Sequence, residues 1–167
     1  MKRLICFCLL FMLFLTGCNS PSEEYIEPVN FYFLKADVTY FTDDGVICRE
    51  QREAHGYRQD YEQLLRSYLL GPGTAEMRRV FPKNVELVRL ELSETGAVVT
   101  LNDAVARLTG LDLTIACACL TATVCDMTGV KTVTLRAETQ LLDGNKSITM
   151  TRDHILLLDS SVAAIGN

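Results

Sequence analysis

Seven cysteines are the residues of this 167-residue chain whose type and spacing could do chemistry. Three of them, Cys117, Cys119 and Cys125, fall in one apolar segment and would suit a zinc site if their sulfurs met within ~2.3 Å of one metal. In a helix, however, positions 117 and 119 lie ~200° apart around the axis, and positions 117 and 125 lie ~12 Å apart along it. The sequence therefore predicts that these thiols are small buried hydrophobic groups and that the chain holds no metal.

Another thiol of the folded part, Cys48, leaves two alternatives open. It could form a disulfide with one of the three thiols above, because a secreted chain meets an oxidising compartment. It could also act as a nucleophile with His55 as its base, but such a pair needs a third group to orient the base, and the sequence offers none. We therefore predict no catalytic and no cofactor-binding residue, and we interpret the other histidine, His154, as a surface or packing residue.

Cys18 lies in a pattern that predicts lipid attachment. Two basic residues precede an apolar run of twelve residues from Leu4 to Leu15, which leads into Leu15-Thr16-Gly17-Cys18. The run is too short to span a bilayer, which takes about 20 apolar residues, and is typical of a secretory signal peptide. Its ending resembles the lipobox of bacterial lipoproteins, in which the peptidase cuts before the cysteine and the cysteine carries lipid. We predict a signal peptide at 1–17 and a protein held by lipid on Cys18 at the outer face of the cytoplasmic membrane.

Residues 18–30 are predicted to be the lipidated cysteine followed by a flexible tether. The tether contains two prolines, two serines and three glutamates, which favour an extended polar segment. Twelve such residues reach at most ~40 Å, so the folded domain would stay close to the membrane.

The composition indicates one globular domain that does not bind nucleic acid. Hydrophobic residues make up 49% and charged residues 22%, a balance typical of a folded chain. Loss of Lys2 and Arg3 with the signal peptide lowers the formal net charge from −5 to −7. An acidic chain without a basic run lacks the charge that phosphate backbones require.

Hydrophobic periodicity predicts two helices. The first runs from about Asp60, its N-cap, to Leu70, and carries an outward Glu62–Arg66 pair. Gly71-Pro72-Gly73 ends this helix. It is not a phosphate loop, because such a loop precedes a helix. The apolar face of the first helix comprises Tyr61, Leu64, Leu65, Tyr68 and Leu69. The second helix runs from Leu113 to Met127, is apolar on nearly all sides and ends at Gly129, although its β-branched residues also allow a strand.

Strands are predicted around the helices, over Phe31–Leu34, Val38–Phe41, Val46–Arg52, Val85–Leu92, Ala97–Leu101 and Val130–Ala137. Asp43-Asp44-Gly45 and Asp143-Gly144-Asn145 are turn signals, and the phase slip between Leu87 and Val88 indicates a bulge in a hairpin. The run Arg49–Glu53 is interpreted as the solvated face or edge of a strand. Ser147–Leu158 could be a strand or a short helix capped by Thr151. This order predicts an α+β fold, a small mixed or antiparallel sheet with two helices packed on one face.

Aromatic residues cluster near the start of the folded part and are interpreted mainly as core and sheet. Any that are exposed would form an interaction patch, because aromatic side chains dominate protein interfaces. They are Tyr25, Phe31, Tyr32, Phe33, Tyr40 and Phe41.

Several segments together carry a resemblance to a known family. They are Phe31-Tyr32-Phe33-Leu34, Tyr68-Leu69-Leu70-Gly71-Pro72, Val80-Phe81-Pro82-Lys83-Asn84-Val85-Glu86-Leu87, the hairpin ending Val98-Val99-Thr100-Leu101-Asn102, and Gly129-Val130-Lys131-Thr132-Val133. In this order, and behind a lipobox, they resemble the GerMN domain of sporulation and spore-germination lipoproteins over roughly 31–138. The chain has one copy of the pattern, whereas sporulation members often carry two.

The resemblance implies a fold similar to the ring-building motif of proteins that form the channel between mother cell and forespore. It also implies a non-enzymatic role in protein contacts, with a GerMN-like domain at 31–138 and a C-terminal extension at 139–167. The partner would be a second copy of the chain or a sporulation channel or envelope complex. Two other functions stay open: an envelope lipoprotein with a ligand pocket beside the sheet, and a thiol-dependent enzyme or redox protein that would need an exposed, low-pKa Cys48 or Cys119.

Overall fold

In the computed structural model of the chain, the residues described are 28–37, 46–54 and 60–155. The signal peptide, Cys18 and most of the tether lie outside them. So do the strand predicted at Val38–Phe41, the turn at Asp43-Asp44-Gly45 and residues 156–167. These sequence predictions stay predictions.

The first sheet has three antiparallel strands. Strand β1 (Pro28–Lys35) lies between β2 (Ile47–Glu53) and the short β3 (Met77–Arg78). Phe31 and Phe33 of β1 point into one buried cluster, whereas Tyr32 and Leu34 point into another. The run from Phe31 to Leu34 is hydrophobic without alternation because both faces of β1 are covered.

Helix α1 (Tyr61–Leu69) confirms the predicted amphipathic helix. The Asp60 side chain accepts a 3.0 Å hydrogen bond from the Gln63 amide and so caps the first turn. Glu62 and Arg66 form the outward ion pair expected from their i, i+4 spacing, at 3.9 Å.

The second sheet has four strands in the order β4 (Leu87–Leu92), β5 (Gly96–Leu101), β6 (Thr132–Ala137) and β7 (Ile148–Thr151). Strands β4 and β5 form the predicted antiparallel hairpin, with a register shift between Leu87 and Arg89 that confirms the bulge. Strands β5 and β6 are parallel, and β6 and β7 are antiparallel. The sheet is therefore mixed.

Helix α2 (Gly110–Thr128) makes the crossover that two parallel strands require, since it follows β5 and precedes β6. The strand alternative for this segment is excluded. The helix is long and apolar enough to cross a membrane, but its side chains pack inside the fold, as in the core helix of a globular domain. It ends at Gly129, whose left-handed backbone conformation (φ +78°) suits a helix C-terminus.

The segment after β6 combines the two structures that the sequence allowed. Ile148–Thr151 forms the edge strand β7, and Thr151 is followed by a short 3-10 helix, Arg152–His154. Asp143 and Gly144 both have positive φ, as expected for the Asp-Gly turn. Part of the predicted C-terminal extension thus completes the second sheet.

The structure confirms an α+β fold with two helices but corrects the expectation of one small sheet. The strands divide into two sheets because β1 pairs only with β2 and β3 among the described strands. Helix α2 contacts both β1 and the second sheet, with Cys119 and Ala122 facing the β1 side and Leu120 and Val124 facing the main core. A helix apolar on all sides is the sequence signature of that central position.

Candidate interaction surface

The thiols that could do chemistry are buried. Cys48, Cys117, Cys119 and Cys125 are all free and all less than a tenth exposed. Burial raises the pKa of Cys117 to about 12 and raises the pKa of the other three above the usual thiol value. Among the described residues, none of these groups has the exposure and low pKa that a reactive thiolate needs.

The three cysteines of α2 lie in different parts of the core, as the helix geometry predicts. Cys117 and Cys125 belong to the main core, whereas Cys119 belongs to the second cluster beside Tyr32. No group of metal-ligating side chains occurs in the described part of the chain. The Cys48 thiol donates a 3.5 Å hydrogen bond to the Phe33 carbonyl oxygen, and it forms no disulfide in this structure.

Of the other residues considered for a functional site, those that the structure describes do not meet in one place. His55 lies outside the described residues, so its pairing with Cys48 stays untested. His154 is exposed in the short 3-10 helix next to Asp153. The aromatic residues Phe31, Tyr32 and Phe33 are buried and belong to the core, so they do not form an aromatic interaction patch.

A charged cluster that the sequence interpretation missed fastens the turn after α1. Glu50, placed with its neighbours on a solvated strand face, is only 9% exposed. Its carboxylate accepts two hydrogen bonds from Arg52, at 2.6 and 2.9 Å, and a 2.8 Å hydrogen bond from the Gly73 amide. Arg79 also donates to the Leu69 carbonyl oxygen at 2.7 Å. Arg52 donates likewise to the Gly71 carbonyl oxygen, at 2.6 Å. The two arginines give the Leu-Leu-Gly-Pro segment a structural role, because they satisfy carbonyl groups left free at the helix end.

The most developed polar surface lies on the outer face of the second sheet. Along β5, Val99 and Leu101 point into the core, so Thr100 points outward together with its cross-strand neighbours Arg89 and Arg136. The extra residue of the bulge, Val88, is also exposed, at 41%. None of the described helices covers this face.

An open cleft of about 700 Å³ runs over this face, and we refer to it as the basic cleft. Its floor comprises Val88, Arg89, Thr100 and Arg136, and its wall comprises residues 137–141 and Lys146. The lining carries three basic side chains and one carboxylate, that of Glu138. Basic side chains thus outnumber carboxylates in the lining of the cleft, although Glu91 beside it pairs with two of them, on a chain whose formal net charge is −5.

The floor of the basic cleft is ordered by hydrogen bonds. Arg136 donates from Nε to Thr100 Oγ1 at 2.8 Å and from Nη2 to Glu91 Oε2 at 2.8 Å. Arg89 Nε lies 3.5 Å from the same Glu91 oxygen. One carboxylate thus holds two guanidinium groups in place while both stay accessible, since their side chains are 58% (Arg89) and 36% (Arg136) exposed.

The wall of the cleft is a loop held at both ends. Asp103 accepts hydrogen bonds from the amide and hydroxyl of Thr139 and from the amide of Gln140. These bonds lower the pKa of the Asp103 carboxyl, and the bond from the Thr139 hydroxyl contributes most. At the other end, Asp143 accepts a 3.2 Å hydrogen bond from the Gly110 amide. Between these anchors Leu141 is 51% exposed. The loop therefore presents a fixed aliphatic side chain to solvent.

A second groove lies between the first sheet and α1. It encloses about 310 Å³ and is lined by Val29, Phe31, Arg52, Leu64 and Leu70, among others. The polar groups at this groove are mostly engaged within the protein, since Arg52 is held by Glu50 and Gly71. The groove is therefore apolar and offers few free polar groups to orient a ligand, which disfavours the ligand-pocket alternative.

Comparisons with known proteins agree with this fold. A family model described as "Germane: Sporulation and spore germination" matches residues 30–143. The first GerMN domain of the sporulation protein GerM from Bacillus subtilis is similar in structure, with a TM-score of 0.59 and 13% identity over 76% of this chain and 98% of that chain. The tandem GerMN domains of the same protein give a TM-score of 0.56 and 14% identity over 75% of this chain and 45% of that chain. A comparison with curated proteins gives no match.

Proposed function

The chain belongs to the Germane family of sporulation and spore-germination domains, and on this premise we propose that it is a lipid-anchored, non-enzymatic module for protein interaction outside the cytoplasmic membrane. The lipid on Cys18 would hold it at the membrane, and the tether would let the domain reach its partner. The process it serves is sporulation or germination.

One observation carries the proposal: a Germane domain follows a lipobox-like sequence after a short polar tether. With lipid on Cys18, such an arrangement would hold a folded domain within a tether length of the bilayer. Burial of the four described thiols supports a non-enzymatic role, because a thiol-dependent reaction needs an accessible thiolate. The partner would then be recognised by the domain surface, where the basic cleft is the best ordered polar feature.

Anchoring is tested by metabolic labelling with palmitate in a bacterium that expresses the chain. The wild-type protein should incorporate label and sediment with membranes, whereas Cys18→Ser should incorporate none. Cys8→Ser is the matched control, since it removes a thiol from the same N-terminal segment, and it should be labelled like the wild type. Equal labelling of Cys18→Ser would contradict the assignment of the anchor.

The role is tested by deleting the gene in its own host and measuring spore yield and germination. The wild-type chain should restore any defect, and Cys18→Ser should not, because the domain would leave the membrane. Cys48→Ala should restore function fully if the protein is not a thiol enzyme. Loss of function in Cys48→Ala, with normal amounts of folded protein, would put thiol chemistry first.

A further inference from the structure

We infer that the basic cleft binds an extended segment of a partner protein that carries carboxylates and aliphatic side chains. The inference deepens the proposed function, and rests on it, by naming the chemistry of the partner. Three features of the cleft support it: its charge, its exposed aliphatic groups and its ordered side chains.

The charge of the cleft favours an anionic ligand. Lys146 forms no ion pair with any described residue, and Arg89 and Arg136 share the single carboxylate of Glu91. Cationic side chains gathered on an otherwise acidic chain attract carboxylates and repel basic segments. Arginine in particular presents a planar fork that matches a carboxylate.

The aliphatic groups distinguish a peptide from a simple polyanion. Val88 and Leu141 line the same cleft and are 41% and 51% exposed. A phosphate polymer or an acidic glycan would leave both in water, whereas an aliphatic side chain of a peptide would cover them. Burying that apolar area would favour binding, against the costs of association.

The cleft is preorganised for such a segment. Asp103 and Asp143 hold the two ends of the loop, and Thr100 and Glu91 hold Arg136. A site whose side chains are already ordered loses less entropy on binding. An extended peptide suits the site because its alternate side chains point to opposite faces, so that one face can meet the cleft.

The test uses the full-length lipoprotein in nanodiscs of neutral lipid and a fluorescein-labelled Glu-Leu peptide, in which the repeat Glu-Ser-Leu-Ser puts Glu and Leu on the same face of the extended chain. Fluorescence anisotropy should show saturable binding that weakens as salt rises. The variant Leu141→Ser/Lys146→Glu should bind about tenfold more weakly, because it removes one aliphatic contact and reverses one charge. The variant Leu70→Ser/Lys83→Glu is the matched control, with the same change of composition and net charge away from the cleft, and its affinity should stay unchanged.

Four outcomes would overturn the inference. They are absence of binding to the wild type, equal losses in both variants, equal binding of a peptide in which Ser replaces each Leu, and equal binding of a peptide in which Lys replaces each Glu. The third outcome would indicate a site for polyanions, and the fourth a merely hydrophobic surface. Amide shifts of Thr100 and Arg136 in the wild type, followed by NMR on adding the Glu-Leu peptide, locate the site without any variant. The labelling and complementation experiments test the proposed function separately, so its failure is distinguishable from failure of the cleft assignment.

Discussion

The guanidinium Nη2 of Arg52 lies 2.6 Å from the carbonyl oxygen of Gly71 and 2.6 Å from Oε2 of Glu50. One side chain on β2 therefore joins its own strand to the turn that ends α1. The guanidinium also lies over the rings of Phe31 and Phe33, with its carbon 5.1 and 5.7 Å from their centroids. A cation beside free carbonyl groups at a helix end is favourable, because that end carries partial negative charge.

Arg52→Met should destabilise the domain by about 3 kcal/mol, because it leaves the carboxylate of Glu50 nearly buried without its charge partner. Urea unfolding followed by circular dichroism measures the loss. The double variant Glu50→Gln/Arg52→Met should be more stable than Arg52→Met alone, since it removes the orphaned charge. Equal stabilities of the single and double variants would show that the charge of Glu50 is not the source of the loss.

Gly71→Ala should destabilise the domain more than Gly129→Ala. Both glycines have positive φ, +94° and +78°, which costs an alanine about 1 kcal/mol. Only at Gly71 would the added Cβ also meet a neighbour, since it would lie 2.6 Å from Cγ of Arg79. Displacing Arg79 would weaken its hydrogen bond to Leu69 and bring the total cost to about 2 kcal/mol. Equal unfolding midpoints of the two variants would contradict this account.

Tyr32 should make stability depend on pH in the alkaline range. Burial and the hydrogen bond to Asp126, 2.7 Å from its hydroxyl, raise the pKa of Tyr32 from 10.0 to about 12. A raised pKa means that the hydroxyl contributes its full stabilisation below pH 10 and loses it as pH rises toward 12. Tyr32→Phe should cost about 1 kcal/mol at neutral pH and flatten the fall in stability between pH 10 and 12.

The measurement is chemical denaturation at a series of pH values. Tyr61→Phe is the matched control, because the Tyr61 hydroxyl makes no hydrogen bond with a described residue. It should leave both the stability at neutral pH and its alkaline fall unchanged. An alkaline fall of the same slope in Tyr32→Phe as in the wild type would assign the dependence to other groups.

The sequence predicts both helices and most of the strands because each of these has a local signal, whereas the two-residue strand β3 has none. Spacing of apolar residues marked α1, and the phase slip at Val88 marked the bulge. The division into two sheets could not be predicted, because strand pairing depends on contacts between distant segments. For the same reason the run Arg49–Glu53 is interpreted from the sequence as a solvated strand face or edge: Gly73, whose amide donates to Glu50, lies 23 residues further along the chain.

The basic cleft was missed for a related reason. Its residues come from β4, β5, β6 and the loop that follows, so no stretch of sequence is basic. The one available signal was alternation in the outward-facing positions of the strands, where Thr100 and Arg136 break the apolar pattern. The prediction of the lipid anchor, in contrast, depends on four consecutive residues and requires no knowledge of the fold. It stays a prediction.

The four described cysteines should be unreactive in the native protein and fully reactive after unfolding. Burial raises the pKa of each, so little thiolate forms at neutral pH, and the fold blocks access to the sulfur. Ellman's reagent, used on the lipidated protein with and without denaturant and reductant, counts free and paired thiols. A thiol that reacts quickly in the native state and titrates below ~8.5 would favour enzyme or redox chemistry instead.

Asp103 should control the loop that forms the wall of the basic cleft. Its carboxylate accepts hydrogen bonds from Thr139 and Gln140, which lower its pKa below the ordinary 3.8. A lowered pKa means that the ionised carboxylate stabilises the loop above pH 3.8 and releases it as pH falls through the lower native value. Asp103→Ala should therefore speed hydrogen exchange of the Thr139 and Gln140 amides at neutral pH, with little change in the unfolding midpoint.

Glu138→Ala is the control for this loop, since it removes a carboxylate that no described residue holds by a hydrogen bond, and it should leave that exchange unchanged. In the wild type, the amide shift of Thr139 should titrate with a midpoint below 3.8, and this titration should be missing in Asp103→Ala. Because the loop carries Leu141 and Lys146, Asp103→Ala should also weaken binding of the Glu-Leu peptide, even though it removes a negative charge next to the cleft wall. Unchanged affinity beside accelerated exchange would mean that the peptide orders the loop itself and that preorganisation adds nothing to recognition.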